Sequence, residues 1–189
     1  NSNTLEQEVV PDQWKVVRVT PISKCKPMRN IENDIRSISV TCPISRVAEH
    51  FVAKFFADHF DDLLDDNQFG TKKGRSTSLA LIKFSHELFL AADDHQTIIK
   101  VLFIDFRKAF EMIDHSILRR KLDDYEFTPQ LSAWMLSFLT DRMQFVKIDD
   151  SMSDVCIINA GAPQGTRAGP NDFKVLINDL RFDLPYIKY

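Results

Sequence analysis

Val101-Leu102-Phe103-Ile104-Asp105-Phe106-Arg107-Lys108-Ala109-Phe110-Glu111-Met112-Ile113-Asp114-His115 decides how the rest of the chain is read. It follows Ile98 and Ile99 and begins as an apolar run of β-branched and aromatic residues, the pattern of a buried strand. Asp105 stands at the end of that run. A carboxylate there is costly to keep ionised unless something positive pairs with it, and a metal ion is one such partner. The alternative is an Asp that caps the following turn. Ala109 and Phe110 come next, and a tight turn after Asp105 folds the Phe110 ring back towards the carboxylate. A plain core aromatic is the other reading of Phe110.

A second distinctive stretch lies downstream: Gly161-Ala162-Pro163-Gln164-Gly165-Thr166, then Gly169-Pro170. Glycines at this density make a turn where backbone can approach a ligand closely. Gln164 there either bonds a base or sugar or serves its own turn. The first stretch resembles the leading carboxylate motif of reverse transcriptases, above all those of non-LTR (LINE-like) retrotransposons. Their usual text is Asp-x-x-x-Ala-Phe-Asp, and Glu111 replaces the last Asp here. The second stretch resembles the glycine-glutamine motif of the same enzymes, in the same order, and the resemblance extends over nearly the whole chain.

Composition sets wide bounds. Of 189 residues, 44% are hydrophobic and 27% charged, which fits a globular chain and excludes a disordered one. Fifteen Phe imply an aromatic core. A net charge of −3 and an isoelectric point near 6.0 mean that any nucleic-acid role needs a locally basic face. Cys25, Cys42 and Cys156 show neither zinc spacing nor a disulfide framework, so reduced thiols are expected. No signal-peptide core and no membrane-length apolar run occurs. The expected location is intracellular, nucleus or cytoplasm.

Towards the N-terminus, Trp14–Thr20 alternates as a strand ended by Pro21, and Ile35–Thr41 reads as another. Lys15, Arg18, Lys24, Lys26, Arg29 and Arg36 make this the most basic part of the chain. From charge alone, a solvated strand face is the favoured reading. The text resembles the fingers of LINE-type enzymes, which implies that Lys24 and Arg36 lie on the incoming triphosphate. Ser37 replaces the Pro usual after that Arg. Pro43 suits the first turn of a helix whose Ile44, Val47, Ala48, Phe51, Val52, Phe55 and Phe56 are expected to face the core. The run Asp58, Asp61, Asp62, Asp65, Asp66 reads as a solvated face. Asn67–Gly70 and Lys73–Thr77 form a basic, glycine-containing turn, with Ser76 or Thr77 capping a further apolar helix. This text too resembles LINE-like enzymes, and the resemblance implies that Lys73 and Arg75 lie near template nucleic acid.

After the central stretch, helices are expected from Asp114-His115 and from Thr128-Pro129. A hairpin is expected from Arg142–Ile148 and Val155–Ile158, and a helix from Gly169-Pro170. Tyr186–Tyr189 reads as the start of a strand.

The fold expected is α+β: the fingers and partial palm of a right-hand polymerase, with an antiparallel palm sheet backed by helices. Residues 1–189 form one partial reverse transcriptase domain. About residues 1–100 are mainly fingers and about 101–189 mainly an incomplete palm, with no thumb. The resemblance implies RNA-directed DNA synthesis from dNTPs on an RNA template and DNA primer, with magnesium or manganese. Asp105 is the catalytic and metal-binding carboxylate, with Phe106, Phe110, Gln164 and Gly165 at the nucleotide. Phe110 is the ring that excludes a ribose hydroxyl. Tyr189 matches the residue that opens the aromatic-x-Asp-Asp motif, so this chain alone is expected to be inactive. Two alternatives are a catalytically dead nucleic-acid-binding relic and an unrelated magnesium-dependent phosphotransferase with Asp105 as nucleophile. The latter wants a second Asp where Arg107 stands.

Overall fold

The computed structural model describes residues 3–70, 72–93 and 98–180. Two one-turn helices, α1 (Asn3–Glu6) and α2 (Asp12–Lys15), lead into strand β1 (Val16–Ser23). Helix α3 (Ile31–Asp34) and strand β2 (Ile35–Val40) complete a hairpin-like unit. Helices α4 (Pro43–Phe60), α5 (Thr77–Ala92), α6 (His115–Asp124) and α7 (Pro129–Leu139) follow. Strands β3 (Arg142–Ile148), β4 (Ser151–Met152) and β5 (Cys156–Ile158) precede the last helix, α8 (Ala168–Ile177).

The five strands form one mixed sheet, ordered β2-β1-β3-β4, with β5 also on β3. Three pairings are antiparallel, as expected, but β1 and β3 run parallel, with Val16 opposite Met143 and Val19 opposite Val146. A parallel pair needs a long crossover, and α3 to α7 supply it. β1 continues through Pro21 to Ser23 instead of ending there. β3 accompanies it only as far as Val19. Beyond that point β1 is an edge on that side, where a missing N–H leaves no partner unsatisfied.

The core lies among α4, α6, α7 and α8. Phe56, Phe60, Leu118, Leu122, Phe138 and Val175 are fully buried, each apolar side chain contributing about 1.5–3 kcal/mol over exposure. Local chemistry starts the helices where the residues predicted. Ser76 Oγ accepts the Leu79 N–H at 3.2 Å, Asp114 Oδ1 accepts those of Ser116 and Ile117 at 2.8 and 3.1 Å, and Thr128 Oγ1 accepts that of Leu131 at 3.4 Å.

α4 is rotated from the expected orientation. Its buried stripe is Ser45, Glu49, Val52, Phe56 and Phe60, while Ile44, Val47, Phe51 and Phe55 face outward. Both stripes keep helical spacing, and periodicity alone does not choose between them. The stripe that buries two polar residues wins because both find hydrogen-bond partners inside.

The largest departure concerns 98–104. No strand forms there, and Leu102 and Phe103 are 80% and 83% exposed. A strand needs lateral partners for its N–H and C=O groups, and among the described residues none lies beside it. α5 touches it through Phe84 and Phe103, with ring centroids 5.9 Å apart. α5 itself buries no side chain completely. The strand start at Tyr186–Tyr189 lies outside the described residues.

Candidate functional site

The turn Gly161–Thr166 is the junction of the site. On one side it grips the segment after Asp105: the Ala162 N–H donates to the Phe110 carbonyl at 2.7 Å, and the Gly161 N–H to that of Ile113 at 2.9 Å. His115 Nε2 donates to the Gly161 carbonyl at 2.8 Å, which fixes the proton on that ring nitrogen. Gly161 has φ +73°, and a Cβ there would stand 2.7 Å from the Glu111 carbonyl oxygen and 2.8 Å from that of Phe110. Only glycine permits both the conformation and the approach.

On its other side the turn joins the sheet. The Ser39 N–H of β2 donates to the Gln164 carbonyl at 2.8 Å. Gly165, at φ +103°, lies so close that a Cβ would be 3.3 Å from the Ser39 oxygen. The structure thus brings Phe110, Gln164, Gly165 and the strand that carries Arg36 to one place. Arg36 itself is exposed.

Aromatic contacts fasten the other side of the Asp105 segment. Phe106 and Phe110 both meet Phe173 of α8 edge-on, at 5.4 and 6.0 Å between centroids. Phe110 also lies over Gly169, where a Cβ would stand 3.3 Å from its ring. Asp105 is exposed, in irregular chain and not at a strand end. Two residues on, Arg107 Nη2 donates to Asn33 Oδ1 at 3.3 Å, and Lys24 Nζ donates to the Asn33 carbonyl at 2.7 Å. Asn33 therefore connects the Asp105 loop with Lys24. Helix α3, which carries Asn33, is itself braced at its start, since Asp34 Oδ2 accepts the N–H groups of Arg29 and Asn30, both at 2.9 Å. Those bonds hold the Asp34 carboxyl below its usual range.

Lys73 and Arg75 form a separate, local arrangement. Arg75 pairs with Asp66 at 3.6 Å and stacks over Phe69 at 5.1 Å, and Lys73 is exposed.

Glu49, Arg142 and Asp172 are buried ionisable groups that went unnoticed in the sequence. Glu49 accepts the Arg167 N–H through Oε2 at 2.9 Å and the Ser45 hydroxyl through Oε1 at 3.4 Å. Burial pushes its carboxyl up, opposed by the Arg167 N–H and the Arg142 charge. Arg142 donates to the Phe138 carbonyl at 2.7 Å and stacks on that ring at 4.5 Å. Burial brings its guanidinium down to about 10, against the pull of Glu49. Asp172 is 0% exposed, and neither carboxylate oxygen has a hydrogen-bond partner. Burial, then the Glu49 charge, raises it well above the usual carboxylate range. The spacing of Ser45 and Glu49 with Val52, Phe56 and Phe60 was the available signal: two polar residues on one stripe with three apolar ones.

Among the described residues no cluster of three or more His, Cys, Asp or Glu side chains could hold a metal ion. Asp105 offers one hard oxygen donor of the kind magnesium takes.

The segment after Asp105, the glycine turn bound to it and the strand beside that turn form one junction. The family model for reverse transcriptase (RNA-dependent DNA polymerase) matches residues 23–187, and the chain belongs to that family. The resemblance to LINE-like enzymes holds among three relatives from Drosophila melanogaster. The probable RNA-directed DNA polymerase from transposon BS is 29% identical over 178 residues, covering 93% of this chain and 19% of that protein. That from transposon X-element is 28% identical over 162 residues, covering 85% and 18%. The RNA-directed DNA polymerase from mobile element jockey is 24% identical over 186 residues, covering 97% and 20%. The chain spans about a fifth of the length of these relatives.

Proposed function

We propose that this chain is the fingers and part of the palm of a right-hand polymerase that carries out RNA-directed DNA synthesis. About residues 1–100 belong mainly to the fingers and about 101–189 to the palm. The observation that carries the reading is the junction at Gly161–Thr166, which bonds the Phe110 segment and β2 at once. It gathers groups from three distant stretches of sequence that nucleotide addition needs together.

The reaction is in-line attack of a primer 3′-hydroxyl on the α-phosphate of a dNTP, with pyrophosphate leaving. Divalent metal ions, magnesium or manganese, supply charge stabilisation for the attacking and leaving oxygens. Asp105 is the donor this chain offers them. Lys24 and Arg36 meet the triphosphate through charge-assisted bonds. Asn33 holds Lys24 and Arg107 on one residue, which keeps the phosphate side and the Asp105 loop in register. Gln164 and Gly165 lie against the base and sugar. Phe106 and Phe110 rest on Phe173, and the supported Phe110 ring forms the wall below the sugar. Lys73 and Arg75 track the template backbone away from this centre.

Sugar selection tests the reading. In the polymerase that carries this segment, Phe110→Ala should raise ribonucleotide incorporation relative to dNTP by about tenfold or more, because the ring no longer fills the space of a 2′-hydroxyl. Primer extension on an RNA template measures it. Equal discrimination by mutant and parent would remove Phe110 from the sugar site.

A further inference from the structure

Helix α8 begins immediately after the glycine turn, and Thr166 Oγ1 accepts the Gly169 N–H of its first turn at 3.4 Å. Arg167 stands at the N-cap with no side-chain cap bond. The N–H groups of a first helical turn need acceptors, and here one comes from 118 residues earlier in the chain, as Glu49 Oε2 at 2.9 Å. Glu49 is 3% exposed. Ser45 holds its other oxygen, and its negative charge suits the positive end of α8. Arg167 is two residues beyond Gly165 and three beyond Gln164. Thr166 closes the interval: its N–H and its hydroxyl donate to the Pro163 carbonyl at 3.3 and 2.8 Å.

We propose that Glu49 is a positioning residue for nucleotide binding. From inside α4 it clamps the start of α8 and so fixes how far Gln164 and Gly165 protrude towards the nucleotide. The turn is then held from three sides: Phe110 and Ile113 through Ala162 and Gly161, Ser39 through Gln164, and Glu49 through Arg167. Glu49 touches no substrate. This role rests on the reading of Gln164 and Gly165 as nucleotide contacts.

Two measurements separate the clamp from that reading. In the 189-residue chain, amide hydrogen exchange reports the Arg167 N–H directly. Glu49→Ala should speed it by about tenfold, and Glu49→Gln, whose amide oxygen still accepts, should stay near the parent. Unchanged exchange at Arg167 in Glu49→Ala overturns the clamp, whatever the activity. In the polymerase that carries this segment, Glu49→Ala should raise the dNTP KM about tenfold while kcat stays within about twofold, and Glu49→Gln should restore most of it. Faster exchange with an unmoved dNTP KM sinks the nucleotide reading of the turn and leaves the clamp standing. Equal impairment by Ala and Gln overturns the positioning role, because Gln keeps both the shape and the acceptor oxygen, and leaves the Glu49 charge as what matters. Should Glu49→Ala fail to fold, Arg167→Pro removes the donor instead, at a backbone φ of −80° that suits proline. The same KM rise is then expected, and an unchanged KM overturns the proposal.

Discussion

Between Ile98 and Asp105 the chain has no sheet partner among the described residues and turns Leu102 and Phe103 outward. Between Phe110 and Gly169 two distant segments are bound by backbone hydrogen bonds at Phe110 and Ile113, and by the contact of the Phe110 ring with Gly169. Only four residues separate Asp105 from Phe110. The contrast shows that the two halves of one motif are stabilised by different things. The Phe110 half is fixed by glycines that let backbone meet backbone. The Asp105 half depends on neighbours for an apolar run that cannot satisfy its own N–H and C=O groups.

Substitutions on the two sides should therefore separate stability from chemistry, and this is the largest effect expected. Gly161→Ala forces a Cβ to within 2.7–2.9 Å of backbone atoms at a positive φ. It should cost on the order of 3 kcal/mol in urea unfolding. Asp105→Asn lies on exposed chain and should change stability by less than about 0.5 kcal/mol. In the polymerase that carries this segment, Asp105→Asn should nonetheless lower dNTP incorporation by roughly a thousandfold, since the lost charge acts on the transition state. If Asp105→Asn unfolds the chain as readily as Gly161→Ala does, the carboxylate is a structural cap and the comparison fails.

The same contrast explains what could be read from the residues. Caps and turns are local, so Ser76, Asp114 and Thr128 announced their helices, and the hairpin after Arg142 followed from alternation and a polar turn. Gly161 and Gly165 pointed to close backbone approach, read as approach to a ligand, and what stands close in the structure is the protein's own backbone at Phe110, Glu111 and Ser39. Strand formation at 98–104 is not local: the apolar run was visible, but pairing depends on a neighbour that no window of sequence contains. α4 failed for another reason. It is apolar on two faces, and its inward face was chosen by the partners of Ser45 and Glu49, which lie far away in the chain. Lys24 and Arg107 were each visible as charges, yet nothing in the text indicated that Asn33 would join them.

A smaller effect sharpens the comparison inside the well-packed half. Asp172 is buried without a hydrogen-bond partner and its folded-state pKa is raised. The folded form therefore retains a proton that the unfolded chain releases just above the ordinary Asp value of 3.8. Stability contributed by this group is full below that value and falls as pH rises towards the folded pKa. Glu49, also raised, acts in the same direction. Asp114 and Asp34, whose carboxyls are lowered, act oppositely: their contribution is lost as pH falls. Asp172→Asn should remove the descending part of the profile, so that it gains stability relative to the parent as pH rises from the ordinary Asp range through neutrality. Urea midpoints across that range measure it. A parent and mutant with parallel profiles would mean that Asp172 is ionised and accommodated in the fold.

The smallest effect compares two helix caps, one in each region. Asp114 caps α6, whose Leu118 and Leu122 are fully buried in the core, and it accepts two backbone N–H groups. Ser76 caps α5, which has no fully buried side chain and meets Phe103 only at the edge of the exposed run. Each cap is worth about 0.5–2 kcal/mol to its own helix. Where a helix is part of the cooperative core, losing its cap lowers global stability; where it is not, the loss appears only as local opening. Asp114→Ala should thus lower the global unfolding free energy by about 1 kcal/mol. Ser76→Ala should leave the global value within about 0.3 kcal/mol and instead speed amide exchange at Leu79 and Ala80 severalfold. If Ser76→Ala lowers global stability as much as Asp114→Ala does, α5 and the run beside it belong to the same cooperative unit as the core. The distinction between a self-sufficient half and a dependent one would then have to be abandoned.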